Sequence, residues 1–165
     1  MALQFTALRR FGLRIAALVF IADQIVKWVM IGPLALRHVR QIEILPIFNF
    51  TWMENRGVSF GMFEAGSEAA RWLLVGVTLL VSAGVIVWMW REKTKADILA
   101  LALVLGGALG NIVDRVRFGY VVDYADLHFG DFRPFLVFNL ADAAITIGVL
   151  LLVARALLVR DKASH

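Results

Sequence analysis

Four apolar runs organise the sequence, each close to the roughly 20 residues that a membrane-crossing helix needs. They are Phe11–Ile31, Ala70–Trp90, Ala96–Val113 and Phe138–Leu158. A long segment (Gly32–Ala69), a short one (Arg91–Lys95) and a medium one (Asp114–Val137) separate them. Asp23 and Lys27 interrupt the first run and no A-x-A site follows it, so it reads as a retained helix and not as a cleaved signal peptide. Gly32-Pro33 marks its end. Within the long segment the period changes. Across Ile44–Asn55, Phe48, Phe50 and Trp52 alternate with Ile47, Asn49, Thr51 and Met53, which predicts strand in a small sheet. A simple belt of interfacial aromatics is the alternative. The expected fold class is mainly α: one four-helix polytopic membrane domain over residues 1–165, with a small extracytoplasmic β-sheet.

Composition agrees with the pattern. The chain is 61% hydrophobic with a mean hydropathy of +0.78, more apolar than a water-soluble domain of this length requires. It has no cysteine, which excludes disulfides, a thiolate nucleophile, Cys-based metal sites and lipidation of its own cysteine. The net charge of +4 gains meaning from its placement. Arg9, Arg10 and Arg14 flank the first run, Arg91, Lys93 and Lys95 fill the short loop, and Arg155, Arg160 and Lys162 close the chain. The positive-inside rule then puts both termini and the short loop in the cytoplasm and the two longer segments outside. The basic balance is a topology signal, and no nucleic-acid partner is expected.

This topology gathers the polar residues of the runs into one slab near the outer boundary. Asp23 lies roughly 13 Å below the outer end of the first helix, with Lys27 one turn further on the same face and able to pair with it. "GGALGNIVDRV" (Gly106–Val116) puts Asn111, Asp114 and Arg115 at the outer end of the third helix. The fourth helix runs inward, so Asn139 and Asp142 share its first turns. Asp123 falls in the outer segment between them. Each residue also has a bland reading. Asp23–Lys27 reads as an ion pair that orients helices, Asn111 and Asn139 as interhelical glue, and Gly106 and Gly110 as a packing face. Asp114, Arg115 and Arg117 read as interfacial charges, and Asp126, His128 and Asp131 as solvated loop residues. Asp142 resists such a reading. A carboxylate at the bilayer centre costs about 2.5–3.5 kcal/mol even on insertion scales, and ionisable residues in spanning helices are functional candidates.

Two carboxyls held together share a proton, so that one activates water while the other donates to the attacked carbonyl. Asp123, entering from a loop, and Asp142, from a helix, suit this aspartic hydrolysis, which requires no metal. Other chemistries fit less well. "GVSFG" (Gly57–Gly61) has the letters of a nucleophile elbow, but no βαβ pattern surrounds it to support a Ser59 triad. A Ser59–Lys27 dyad must compete with Asp23 for the lysine. There is no H-E-x-x-H and no close pair among His38, His128 and His165, so neither metal nor cofactor is expected. A proton-coupled carrier using Asp23, Lys27 and Asp142 as relay groups remains the alternative from another class, although no inverted repeat or broken helix appears. A structural membrane subunit would leave Asp142 unexplained.

Five blocks in order resemble the lipoprotein signal peptidases (signal peptidase II), bacterial aspartyl membrane enzymes. They are Asp23–Lys27, Asn55–Gly61 (with Val58 where Ala is usual), Gly106–Arg115, Gly119–Tyr124 (with Tyr124 for the commoner Phe) and Phe138–Gly148. The resemblance covers nearly the whole chain. It implies Asp123 and Asp142 as the catalytic pair, with Asn55, Asn111, Arg115 and Asn139 binding and orienting the substrate. Asp23, Lys27, Asp114, Gly107 and Ala141 would give structural support. It makes Ser59 part of a loop block, and gives Gly32–Ala69 a sheet and a short surface helix that cradle the substrate. The implied substrate is a diacylglyceryl-modified precursor lipoprotein, cut just before its lipidated cysteine. The implied setting is the bacterial inner membrane, with membrane lipid around a monomer, no cofactor, and the active site near the outer face.

Overall fold

The computed structural model describes residues 2–57, 68–130 and 132–162. Ser59, the rest of the Val58–Gly61 motif and Asp131 lie outside the described residues. The element order is α1 (Ala2–Ile31), α2 (Leu36–Val39), β1 (Gln41–Leu45), β2 (Phe48–Asn55), α3 (Glu68–Arg91), α4 (Lys95–Phe118), β3 (Val121–Leu127) and α5 (Leu140–Lys162). Among the described residues, three helices are long and apolar enough to cross a membrane: α3, α4 and, within α5, Leu140–Leu158. α1 is longer than any of them, but Arg9, Arg10, Arg14, Asp23 and Lys27 punctuate it, a departure from four equally apolar spans. It also begins nine residues earlier than the apolar run.

α4 is the central helix and packs against α1, α3 and α5. Its glycines let the neighbours approach. A Cβ on Gly106 would lie 2.6 Å from the Ala16 carbonyl oxygen of α1, and one on Gly107 would strike the Ala141 carbonyl of α5. The Gly106–Gly107 pair therefore serves two different partners, and Gly110 abuts the Asp23 carboxyl. Thr94 caps the start of α4 by accepting from the Asp97 N–H, while Arg155 of α5 pairs with Asp97 and ties the far ends of α4 and α5 together. At its other end α4 runs five residues past the expected boundary at Val113. Arg115 and Arg117 in the last turn suit the helix dipole, and Gly119 stops the helix in the left-handed conformation (φ 84°) that only glycine adopts freely. Arg71 of α3 then donates to the exposed carbonyls of Arg115 and Val116, both at 2.7 Å.

The sheet is three-stranded and antiparallel, in the order β1-β2-β3. β1 and β2 form a hairpin through Pro46-Ile47, with Gln41 opposite Thr51. β2 pairs with β3, setting Met53 opposite Asp123, with an irregularity between Phe50 and Met53. Trp52, Tyr120, Val122, Tyr124 and Ala125 join Met30 and Leu36 in a core between the sheet and the end of α1. Phe50 stands edge-on to Tyr124, with centroids 6.2 Å apart. Two expectations change here. Asp123 comes from the middle of a strand and not from a loop. Asp126, read as solvated, is 1% exposed, and His128 is half-buried with its Nε2 2.9 Å from Asn49 Nδ2. A third strand turns what would be loop into the inner layer of the sheet.

Candidate active site

The beginning of α5 organises the site. The first four N–H groups of a helix have no partner within it, and here each finds one. The Asn139 N–H donates to Asp142 Oδ2 (3.2 Å), while the Asp142 N–H donates to Asn139 Oδ1 (2.9 Å). This reciprocal pair is a capping box in which Asn and Asp take the places of Ser/Thr and Glu. The Leu140 N–H donates to the Tyr124 hydroxyl (3.1 Å) and the Ala141 N–H to Asp23 Oδ1 (3.1 Å). Asp142 is thereby fixed at the third helical position by its own backbone surroundings. Four segments distant in sequence meet at this helix end.

Two asparagine amides join the two aspartates. Asn139 Nδ2 donates to Asp123 Oδ1 at 2.6 Å and to Asn111 Oδ1 at 3.3 Å. Asn111 Nδ2 donates to Asp142 Oδ1 at 2.8 Å. Behind them Lys27 is 2% exposed and spends all three ammonium protons: on Asp114 Oδ2 (2.7 Å), Asp23 Oδ2 (2.9 Å) and Asn111 Oδ1 (3.3 Å). Because Asn111 Oδ1 accepts from Lys27 and Asn139, its Nδ2 must face Asp142. Asp114 also accepts from the Val122 N–H (3.1 Å) and from Gln24 Nε2 (3.1 Å), binding α4 to β3 and α1. Arg115 donates to the Asn111 carbonyl from Nη1 (3.4 Å), and its buried Nε has no hydrogen-bond partner among the described residues. Asn55 Oδ1 accepts the Gly57 N–H (3.0 Å), an Asx turn at the end of β2.

Nearly every sequence-predicted residue is thus in one connected set: Asp23, Lys27, Asn111, Asp114, Asp123, Asn139 and Asp142 through side chains, with Arg115 reaching the Asn111 backbone and Ala141 giving its N–H to Asp23. Gly107 stands outside the network as a contact point between helices. Sequence reasoning missed the parts of Gln24 and Tyr124. Gln24 is the polar residue adjoining Asp23 within an apolar run, a signal that was present. The Tyr124 hydroxyl is spent on the cap of α5.

The two carboxyls have different surroundings. Asp123 is 1% exposed. Burial first, and the charge of Asp142 second, push its carboxyl up to about 7, against the hydrogen bonds of Asn55 and Asn139 and the charge of Lys27. Asp142 is half-buried and lines a cavity of about 300 Å³ whose other walls are apolar: Phe135, Leu136, Phe138, Ala143, Thr146 and Ile147. A carboxyl that titrates near 7 when folded and near 3.9 when unfolded favours the folded state while it is protonated. That contribution is complete below about pH 4 and disappears as pH rises through about 7. Asp123→Asn should therefore be more heat-stable than the parent at pH 8, with the advantage shrinking as pH falls towards 4. Thermal unfolding in detergent across this range is the check, and a difference independent of pH would refute it.

Comparison with known proteins adds to this geometry. The family model for signal peptidase (SPase) II matches residues 15–158. A lipoprotein signal peptidase of Sphingopyxis alaskensis is 62% identical over 156 residues, covering 94% of this chain and 90% of that protein. One from Rhizorhabdus wittichii is 60% identical, covering 93% and 89%. One from Vibrio cholerae is 37% identical, covering 89% and 88%. Two solved structures of a bacterial membrane enzyme superpose with a TM-score of 0.75. The first is 27% identical and covers 93% of this chain and 90% of its own. The second is 28% identical and covers 89% and 92%.

Proposed function

The chain belongs to the signal peptidase II family, and on that footing we propose that it removes signal peptides from precursor lipoproteins with Asp123 and Asp142 as an aspartyl dyad. The observation that carries this reading is the pair itself: two carboxyls linked through Asn111 and Asn139, one of them on the wall of an apolar cavity. Asp142, its oxygens already accepting N–H bonds, takes a proton from water, and the water oxygen bonds to the scissile carbonyl carbon. The proton of Asp123 goes to the carbonyl oxygen. Collapse of the tetrahedral intermediate breaks the C–N bond as the leaving nitrogen takes the proton that Asp142 holds, and a hydroxyl proton of the intermediate returns to Asp123. The products are the free carboxyl end of the signal peptide and the amino group of the lipidated cysteine.

The substrate class follows from the surroundings. The apolar cavity at Asp142 suits an acyl chain or the signal helix, and Asn55, Asn111, Arg115 and Asn139 offer partners to peptide groups that lipid leaves unsatisfied. In this reading α1 is a fourth span, its Asp23 and Lys27 withdrawn from lipid by pairing. Both termini face the cytoplasm, the sheet lies at the outer surface of the inner membrane, and the enzyme acts as a monomer. Among the described residues the network gathers near one end of the helices, which favours the peptidase reading over a carrier. The test is incubation of purified protein with one precursor in diacylglyceryl-modified and unmodified forms. Cleavage before the cysteine of the modified form alone is expected. Equal cleavage of both forms, or of neither, would refute the reading.

A further inference from the structure

Asp126 belongs to none of the groups described so far. It is 1% exposed, and Thr51 Oγ1 donates to its Oδ2 at 3.0 Å. Its Oδ1 is buried without a hydrogen-bond partner. Arg133 Nε lies 3.3 Å away, near enough for an ion pair but not aligned as a hydrogen bond, and the arginine side chain is 60% exposed. A buried carboxyl oxygen held only by an unaligned ion pair is costly, and the exposed Arg133 that covers it can swing aside to let a donor from outside reach it. Asp126 lines a cavity of about 450 Å³ together with Thr51, Met53, Arg133, Phe135 and Leu136.

That cavity adjoins the candidate active site. Phe135 and Leu136 wall both it and the apolar cavity at Asp142. Asp126 follows Asp123 by three residues on β3, which sets it about 10 Å along the strand. The apolar cavity runs from Asp142 along α5 through Ala143, Thr146 and Ile147. The Asp126 cavity lies across Phe135 and Leu136 from it, against Thr51 and Met53 of β2. A substrate whose acyl chain or signal helix occupies the first would send its remaining chain through the second. In an extended chain, 10 Å is about three residues.

We propose that Asp126 and Arg133 form a peptide-binding subsite for the residues following the cleaved bond. With Arg133 swung out of its 3.3 Å ion pair, Asp126 Oδ1 accepts a substrate backbone N–H, and Arg133 donates to a neighbouring backbone carbonyl. Contacts to the backbone would hold the chain without reading its side chains. The subsite rests on the peptidase reading above and adds to it a grip on the mature side of the substrate.

The test uses two diacylglyceryl-modified precursor peptides, one ending at the residue after the cysteine and one continuing for ten residues. For the long peptide, Asp126→Asn should raise KM about tenfold with kcat changed less than about twofold. Arg133→Gln, at an exposed side chain, should raise KM about threefold. Neither should alter cleavage of the short peptide. N-methylation of the backbone two to four residues after the cysteine should weaken the long peptide about tenfold at one position with the parent enzyme, and not with Asp126→Asn. Unchanged KM in both variants, an equal change on both peptides, or a fall in kcat alone would overturn the subsite. A parent enzyme that cleaves neither peptide would overturn the peptidase reading and the subsite with it.

Discussion

Asp142→Asn is expected to lower cleavage of lipidated precursor by about 10³-fold or more while leaving a folded protein, because an amide cannot take the proton from water. The substitution also disturbs structure in a way the hydrogen bonds define. Both oxygens of Asp142 accept, from Asn111 Nδ2 and from the Asn139 N–H, and an amide has only one oxygen to offer. Asn111 cannot turn over to compensate, because its own oxygen is held by Lys27 and Asn139. One donor is left unmatched, at about 1–3 kcal/mol. Asp123→Asn should be as inactive but less destabilised, since it replaces a carboxyl that burial keeps protonated and leaves one oxygen for the Asn139 and Asn55 amides. Activity of each variant on modified precursor, read beside its melting temperature, separates the two effects. Substantial turnover by either variant would remove the dyad, and a dead but folded Ser59→Ala would restore the serine reading.

Lys27→Met carries the largest expected loss of stability. Removing one partner of a buried ion pair leaves an uncompensated charge and costs about 3–5 kcal/mol, and here Lys27 faces two carboxylates, Asp23 and Asp114, both fully buried. The loss should appear as a fall of roughly 10 °C in melting temperature. Adding Asp114→Asn should restore part of it, because the second substitution removes one of the two orphaned charges. A double variant no more stable than Lys27→Met would show that the carboxylates are not what the lysine holds. Activity should fall with the stability, as Asn111 loses the bond that aims its amide at Asp142.

How much of this could be read from the sequence depended on how local each signal was. The apolar runs found all four long helices, and the i,i+4 spacing found the Asp23–Lys27 pair. The second partner of Lys27, Asp114, lies on another helix, and only the tertiary fold brings it there. The last turn of α4 was hidden because Asp114, Arg115 and Arg117 resemble a boundary, although Gly119 marks the true end. β3 was missed for a different reason. Val121–Asp126 is buried on both faces, so the strand lacks alternation and its two aspartates look like loop. What satisfies them, Asn139 for one and Thr51 for the other, is set by pairing that no local pattern records. The residues of the candidate site were legible as a group because they crowd one end of the runs. Their connections were not.

The fully occupied start of α5 has a consequence for where negative charge can go. Helix N-termini often serve as oxyanion holes, because free N–H groups there point at a developing charge. In this protein Asp142, Tyr124, Asp23 and Asn139 have already taken all four. In the proposed reaction the tetrahedral intermediate therefore gains nothing from the helix beneath it. Its oxygen must be neutralised by proton transfer from the dyad, or met by the uncommitted Nε of Arg115. Stabilisation by a proton instead of by fixed donors ties the charge of the intermediate, and with it the rate, to the protonation of one buried carboxyl.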